Sequence, residues 1–348
     1  MHPTTIAVDL AKNVFELAVA DDHWHLAASH RFTRRQFERF LASQPPGHVV
    51  MEACGTAHHW GRVAQGHGHQ VTLLPAQFVR PYARGNKTDR TDAEALLEAV
   101  RSGRIVPVAV KTVAQQELLA LHRLRDQWMA TRTARINALR GFLREQGILL
   151  PRGAQAAVAA IPALVEDADT PLPGRLREAF ALLYEEVRGV EDRIARIERR
   201  LRTFAATDAV AQRLLTIPGV GLLTATALVG TVGHIHGFRR GRHFASWLGL
   251  TPRERSSGSR RSLGRITKRG DVYLRCLLTH GARAVLLAAH RLAAAGRALS
   301  RLQQWAVAVA NRRGHNKATI ALANKLARIV WAVWRYDVTF VAAPPFAA

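Results

Sequence analysis

Between Leu176 and Phe204 an apolar residue returns at alternating steps of four and three: Leu176, Phe180, Leu183, Val187, Val190, Ile194, Ile197, Leu201 and Phe204. A spacing that averages 3.5 residues holds one stripe to one side of a helix, so this stretch folds as a long helix with another laid along it. Four unbroken heptads favour a coiled coil between two copies of the chain; the alternative is packing on the chain's own preceding helix. That helix is expected over Glu117–Gln146, where Leu118, Leu121, Leu124 and Trp128 form a second stripe. The Pro- and Gly-rich stretch Pro151–Gly174 separates the two. A hairpin of these helices would project from the body and could bring protomers together.

Ahead of the hairpin the chain reads as strands and then as alternating strand and helix. Strands are expected at Thr5–Asp9, Val14–Ala20 and His25–Phe32, followed by a helix at Arg35–Ala42. After the break at Pro45-Pro46-Gly47 come a strand (His48–Ala53), a helix (Ala57–Gln65), a strand (Gln70–Leu74) and a helix from about Thr91 to Ser102. This is the element order of an RNase H-like sheet, although other α/β folds share it. From 206 onward the pattern is helical again, around a Gly-, Ser- and Arg-rich loop, with a last pair of helices at Asp271–Ala294 and Lys317–Trp334. A chain of 348 residues suits two or three domains, drawn here at 1–112, 113–205 and 206–348.

Four acids stand out in the first of these. Asp9 closes the apolar run Ile-Ala-Val-Asp, Glu52 closes Val-Val-Met-Glu, and Asp89 and Asp92 open a helix three residues apart, on one face. Carboxylates at the ends of buried strands are costly to ionise unless a cation neutralises them. Mg²⁺ prefers such hard oxygens, and a pair of ions roughly 4 Å apart can clamp the attacking and leaving oxygens of a phosphodiester. Each acid also has an ordinary reading, Asp89 as a helix cap and Glu52 as a strand end. His58, His59, His67 and His69 match no familiar metal spacing and are read as surface or core residues.

The last domain carries the charge. Fifty Lys and Arg oppose 26 Asp and Glu, a net +24, which suits a nucleic-acid partner with its phosphate on every nucleotide and not a typical metabolic enzyme. From His236 to Arg275 eleven basic residues face two acids, Glu254 and Asp271, a local +9. Just before it, Ile-Pro218-Gly219-Val-Gly221 reads as a helix-hairpin-helix turn, whose backbone N–H groups can hold a DNA phosphate; a plain helix–helix turn is the alternative. Within the basic segment, arginines flank Ser256, Ser257, Ser259 and Ser262. A serine hydroxyl is a weak nucleophile that guanidinium groups can assist by stabilising charge on phosphorus. On these grounds the four serines are indistinguishable.

Several blocks together resemble one family: Asp9-Leu-Ala-Lys-Asn-Val-Phe, Glu52-Ala-Cys-Gly-Thr-Ala-His-His-Trp, Pro81-Tyr with Asn86-Lys-Thr-Asp89-Arg-Thr-Asp92, and Arg135-Ile-Asn-Ala-Leu-Arg-Gly. They are similar to the DEDD transposases of bridge-RNA-guided insertion sequences, relatives of the pilin-gene inverting recombinase. The Ala-Cys-Gly-Thr wording resembles the subgroup with subterminal inverted repeats. The resemblance implies a RuvC-like domain in which Asp9, Glu52, Asp89 and Asp92 are catalytic and bind Mg²⁺. It singles out Ser257, five residues past Pro252 and directly before Gly258, as the catalytic serine. It also implies strand exchange through a covalent phosphoserine, a structured guide RNA, and a homo-oligomer, a tetramer built from dimers. Pro218, Gly219, Gly221, Arg253, Arg255, Arg260, Arg261, Lys268, Arg269 and Arg275 are the expected nucleic-acid contacts, the last three with Gly270 and Asp271 also able to support the site.

Two rivals remain from the residues alone. One is a metal-dependent junction endonuclease that hydrolyses DNA with water; the other is a non-catalytic DNA-binding protein. Cys54 and Cys276 lie far apart, without zinc or disulfide spacing. No uncharged apolar run of about twenty residues occurs, so no membrane association is expected. The protein is expected to be cytoplasmic, in a bacterium, beside the nucleoid.

Overall fold

The computed structural model describes residues 4–83 and 88–342. They fall into two compact units, Met1–Ala114 and Gln115–Ala348. Asn86 and Lys87 of the Asn-Lys-Thr-Asp block lie outside the described residues.

The first unit is a five-stranded sheet in the order β3-β2-β1-β4-β5. Strands β1 (Thr5–Leu10), β2 (Val14–Ala20) and β3 (Leu26–Thr33) form an antiparallel meander, while β4 (His48–Glu52) and β5 (Gln70–Leu74) run parallel to β1. Four helices accompany it: α1 (Arg34–Ser43), α2 (Ala57–Gly66), α3 (Ala76–Val79) and α4 (Asp89–Arg101). Because side chains alternate along a strand, each face has its own core. Ile6, Val8, Phe15, Met51 and Leu73 meet Phe37 and Leu41 of α1 and Trp60 and Ala64 of α2. The ring of Phe15 stands edge-on to those of Phe37 and Trp60, at 5.3 and 5.1 Å, an arrangement that adds to simple burial. Ala7, Ala18, Ala20, Val50 and Leu74 form the opposite core with Ala93, Leu96 and Leu97 of α4. The alanines there let α4 lie close on the sheet.

The second unit is mostly helical. It holds α5 (Val113–Glu145, which begins at the boundary), α6 (Ala154–Glu166), α7 (Gly174–Thr207), α8 (Ala209–Leu215), α9 (Leu222–Val232) and α10 (Gly241–Trp247). A two-stranded hairpin follows, β6 (Pro252–Glu254) with β7 (Leu263–Ile266), and then α11 (Val272–Ala294), α12 (Arg301–Arg313) and α13 (His315–Arg335). By length and composition α11 could cross a membrane, yet Leu274, Leu278, Ala282 and Leu286 on it are buried in this unit's largest core.

The heptad stripe is covered by the chain itself, which corrects the expected pairing between copies along it. Phe180 packs with Leu139, Leu143 and Ile161; Val187 with Ile136 and Val158; Ile197 and Leu201 with Leu118 and the core beyond. Ion pairs fix α7 antiparallel to α5: Arg125–Glu198 at 2.8 Å, Arg132–Glu191 at 2.6 Å and Arg135–Glu186 at 2.8 Å. A heptad pattern states that a helix needs a partner, and here α5 and α6 reach the stripe first.

Several elements depart from the sequence expectation, α6, β6, β7 and α12 among them. The separator at 151–174 contains α6, because its run of alanines has strong helix propensity, which prevails despite the internal Pro162. The basic loop contains β6 and β7, too short to show a periodicity. Helix α12, opened by a capping box between Ser300 and Gln303, precedes the expected last helix.

Candidate active site

Asp9 and Glu52 are neighbours across two parallel strands. The register pairs Val8 with Met51, so the two acids are the next residues on β1 and β4, strands about 4.8 Å apart. Counting in twos from Ala7 and Val50 places both on the face that α4 covers. Glu16 stands directly opposite Asp9 on β2 and shares that face; its carboxylate is met by Arg31 at 3.2 Å. Like charges directly opposed across strands disfavour the sheet, so this corner is electrostatically loaded.

The other two acids open α4, which packs on β1, β2 and β4. Capping is done by threonines, not by Asp89: Thr88 accepts from the Thr91 backbone N–H at 3.2 Å, and the Thr91 side chain answers the Thr88 N–H at 3.0 Å. Asp89 is therefore the first helical residue and is exposed, while Asp92, one turn on, is half-buried beside the buried Ala93. The carboxylate donor set suits a hard divalent ion. Among the described residues, however, no three His, Cys, Asp or Glu side chains stand close enough to hold a metal.

The serines, alike in sequence, differ in the second unit. Beyond β6 and β7 the hairpin is closed by a bridge between Ser257 and Arg260, with Ser257 N–H to Arg260 O at 3.2 Å and the reverse bond at 3.1 Å. The tip is Gly258-Ser259, with Gly258 at φ +53°. Ser256 donates its hydroxyl to Glu254 Oε1 at 2.8 Å and accepts from the Ser262 N–H at 3.2 Å. That same carboxylate oxygen takes Arg261 Nε at 3.3 Å. The Ser256 bond, followed by Arg261, holds the Glu254 carboxyl below its ordinary value. The Ser257 hydroxyl has no hydrogen-bond partner among the described residues and is exposed.

Arg253, Arg255, Arg260, Arg261, Lys268 and Arg269 are likewise exposed on or beside this hairpin. Arg275 is half-buried, and its Nη1 donates to Leu248 O at 3.1 Å.

The Pro218-Gly219-Val220-Gly221 turn joins α8 to α9. Gly219 has φ +83°, and a Cβ on it would lie 2.8 Å from Gly281 O; a Cβ on Gly281 would lie 1.9 Å from Gly219 O. The turn thus sits directly on α11, a contact whose second glycine the sequence reading missed. Gly221, at the α9 N-cap, has open space where a Cβ would be.

A mixed sheet with strand-end carboxylates, followed by a mostly helical part with an arginine-rich serine hairpin, is consistent with a DEDD transposase of RNase H-like type. The family comparisons carry this further. The DEDD transposase profile of the IS110 type matches residues 6–147, and the profile described as Transposase IS116/IS110/IS902 family matches 211–298. The chain is 41% identical over 335 residues to a probable family 20 transposase of Pseudomonas aeruginosa, covering 96% of this chain and 97% of that one. It is 39% identical to the transposase for insertion sequence element IS1111A of Coxiella burnetii, covering 96% and 90%. A more distant relative is the pilin gene-inverting protein of Moraxella bovis, 25% identical over 74% and 75% of the two chains. The chain belongs to the IS110/IS116/IS902 transposase family and is a DNA transposase/recombinase.

Proposed function

We propose that this transposase cuts and rejoins DNA through a phosphoserine at Ser257, with Asp9, Glu52, Asp89 and Asp92 as the acidic half of the machinery. The observation that carries the reading is the contrast between adjacent hydroxyls: Ser256 is engaged by Glu254, and Ser257 is presented without a partner at the bridge beside the hairpin tip. In the reaction the Ser257 Oγ forms a bond to phosphorus as one P–O bond of the strand breaks and the departing oxygen takes a proton. Reversal onto a hydroxyl of another strand rejoins the DNA and frees the serine, so bond energy is conserved. Arg255, Arg260 and Arg261 stabilise charge growing on the phosphoryl oxygens. Arg253, Lys268 and Arg269 hold the backbone, and Arg275 supports the turn beneath. Pro218, Gly219 and Gly221 form a helix-hairpin-helix whose open side, at Gly221, meets a phosphate.

The donor chemistry of the four acids, two at adjacent strand ends and two on the helix covering them, favours Mg²⁺. When bound, Mg²⁺ would neutralise the scissile phosphate and polarise its oxygens. The resemblance supports a RuvC-like fold for 1–112, a helical region 113–205, a serine-bearing domain 206–348, a guide RNA that supplies specificity by base pairing, and a tetramer of this bacterial, cytoplasmic protein.

A cleavage assay on the element's own ends, with Ser257→Ala and Asp9→Asn in parallel, tests the proposal. Both variants should lose cutting. If Ser257→Ala still cuts while Asp9→Asn does not, water is the nucleophile and the chain is a hydrolytic junction-type endonuclease.

A further inference from the structure

Along the α5–α7 hairpin the basic residues that line the seam are matched by acids, Arg125 by Glu198, Arg132 by Glu191 and Arg135 by Glu186. At the far end of α5 this matching stops. A cleft of about 490 Å³ opens there, where the end of α5 meets the segment leading to α6, and Arg140, Arg144 and Arg152 line it with Ile148, Leu149 and Pro151. Neither the Arg144 nor the Arg152 guanidinium forms an ion pair or hydrogen bond among the described residues, and Glu145, the one acid between 140 and 153, does not line the cleft. Arg140 plays a different part, because its Nη2 donates to Pro151 O at 3.2 Å and Gly153 O at 2.9 Å, bracing the segment against the helix. The cleft is therefore braced from within, and two guanidinium groups remain to meet a ligand.

The wall carries as much information as the charge. Leu149 is 77% exposed and lines the cleft beside Ile148 and Pro151, so the arginines share the site with an accessible aliphatic wall. A ligand that satisfies both halves has a flat, weakly polar part to lie on the aliphatic wall and an anion to meet Arg144 and Arg152. Duplex DNA offers phosphates but keeps its base faces stacked inside. An unpaired nucleotide offers both, and the cleft lies within the roughly 300–1,000 Å³ of small-ligand sites.

We propose that this cleft binds an unpaired nucleotide of single-stranded nucleic acid, its base against Leu149 and its phosphate between Arg144 and Arg152. The proposal does not depend on the phosphoserine reaction, because binding is read without cleavage.

Fluorescence anisotropy on the full-length protein tests it, with a labelled 12-nucleotide RNA, the DNA of the same sequence, and a duplex of that DNA. Arg144→Ala with Arg152→Ala should weaken single-strand binding about tenfold and lower the slope of log affinity against log salt by about 0.7, the loss of one neutralised phosphate. Leu149→Asp should weaken single-strand binding while leaving duplex binding unchanged. All three residues are exposed, and an unchanged thermal midpoint verifies the fold. A loss confined to RNA, confined to DNA, or shared by both supports the cleft and identifies its source. Unchanged single-strand affinity in both variants, or an equal loss on duplex and single strand with Leu149→Asp, overturns it.

Discussion

Ser256 and Glu254 are joined by a 2.8 Å hydrogen bond within the β6–β7 hairpin, and that bond separates two serines that are otherwise alike. Ser256 braces the turn, so Ser256→Ala should remove two exposed hydrogen bonds, to Glu254 and from the Ser262 N–H, together worth about 1–2 kcal/mol. Cleavage of element-end DNA should then slow by no more than about tenfold, and Glu254→Gln should behave similarly. Initial rates decide this. A Ser256→Ala protein with no measurable cleavage would move the nucleophile to that position.

The acids should separate activity from stability. Asp9→Asn and Glu52→Gln change charge at strand ends without changing size, and Asp9 faces Glu16 across the strand pair. Cleavage should fall by at least about a thousandfold, while the thermal midpoint moves by less than about 3 °C, as for a change of under 1 kcal/mol. A large drop in midpoint with residual cleavage would mark these residues as structural.

Two glycines should respond oppositely to the same substitution. In Gly281→Ala the new Cβ would lie 1.9 Å from Gly219 O, a backbone atom that cannot turn aside. Overpacking of that kind costs about 3 kcal/mol, or roughly 6–12 °C in a unit of this size. Gly189 lies in α7 with nothing near its absent Cβ, so Gly189→Ala should stabilise by about 0.5–1 kcal/mol. Scanning calorimetry of both variants checks the pair, and equal behaviour would contradict the described contact between the turn and α11.

His122 predicts an acid sensitivity unrelated to catalysis. It is buried, with Nε2 3.0 Å from Thr226 Oγ1 and Nδ1 3.1 Å from the Tyr273 hydroxyl, tying α5 to α9 and α11. Thr226 gives its own proton to Leu222 O at 2.7 Å, so it accepts from Nε2–H, and the Tyr273 hydroxyl donates to Nδ1. Burial, helped by Arg125, pushes the imidazole down to about 4 from its usual 6.5. The unfolded chain therefore binds the proton first, and stability present above pH 6.5 is lost as pH falls towards 4, on the order of 3 kcal/mol in all. His122→Gln should flatten the dependence of the midpoint between pH 6.5 and 4. An equally steep dependence in that variant would assign the loss to other groups.

Much of the first unit was legible because its signals are local. Strand alternation placed β1, β2, β4 and β5 within a residue or two, and the same alternation carries Asp9 and Glu52 onto one face. What sequence could not say is which partner meets a stripe. The run from Leu176 to Phe204 fits a second chain as well as α5 and α6, and only three-dimensional packing decides between them. Nor could spacing distinguish Ser256 from Ser257, since the difference is a bond to Glu254 made by the closed hairpin. Gly281 was missed for a related reason: a glycine within a helix gives no sign that a distant turn rests on it.

The most direct measurement is the site of covalent attachment. Wild-type protein incubated with element-end DNA, its co-expressed RNA and Mg²⁺ is denatured, digested with nuclease and protease, and sequenced by mass spectrometry. A nucleotide phosphate should be found on Ser257 and should disappear in Ser257→Ala. Cut DNA with unattached ends, or a phosphate on any other residue, would contradict a serine nucleophile at this position.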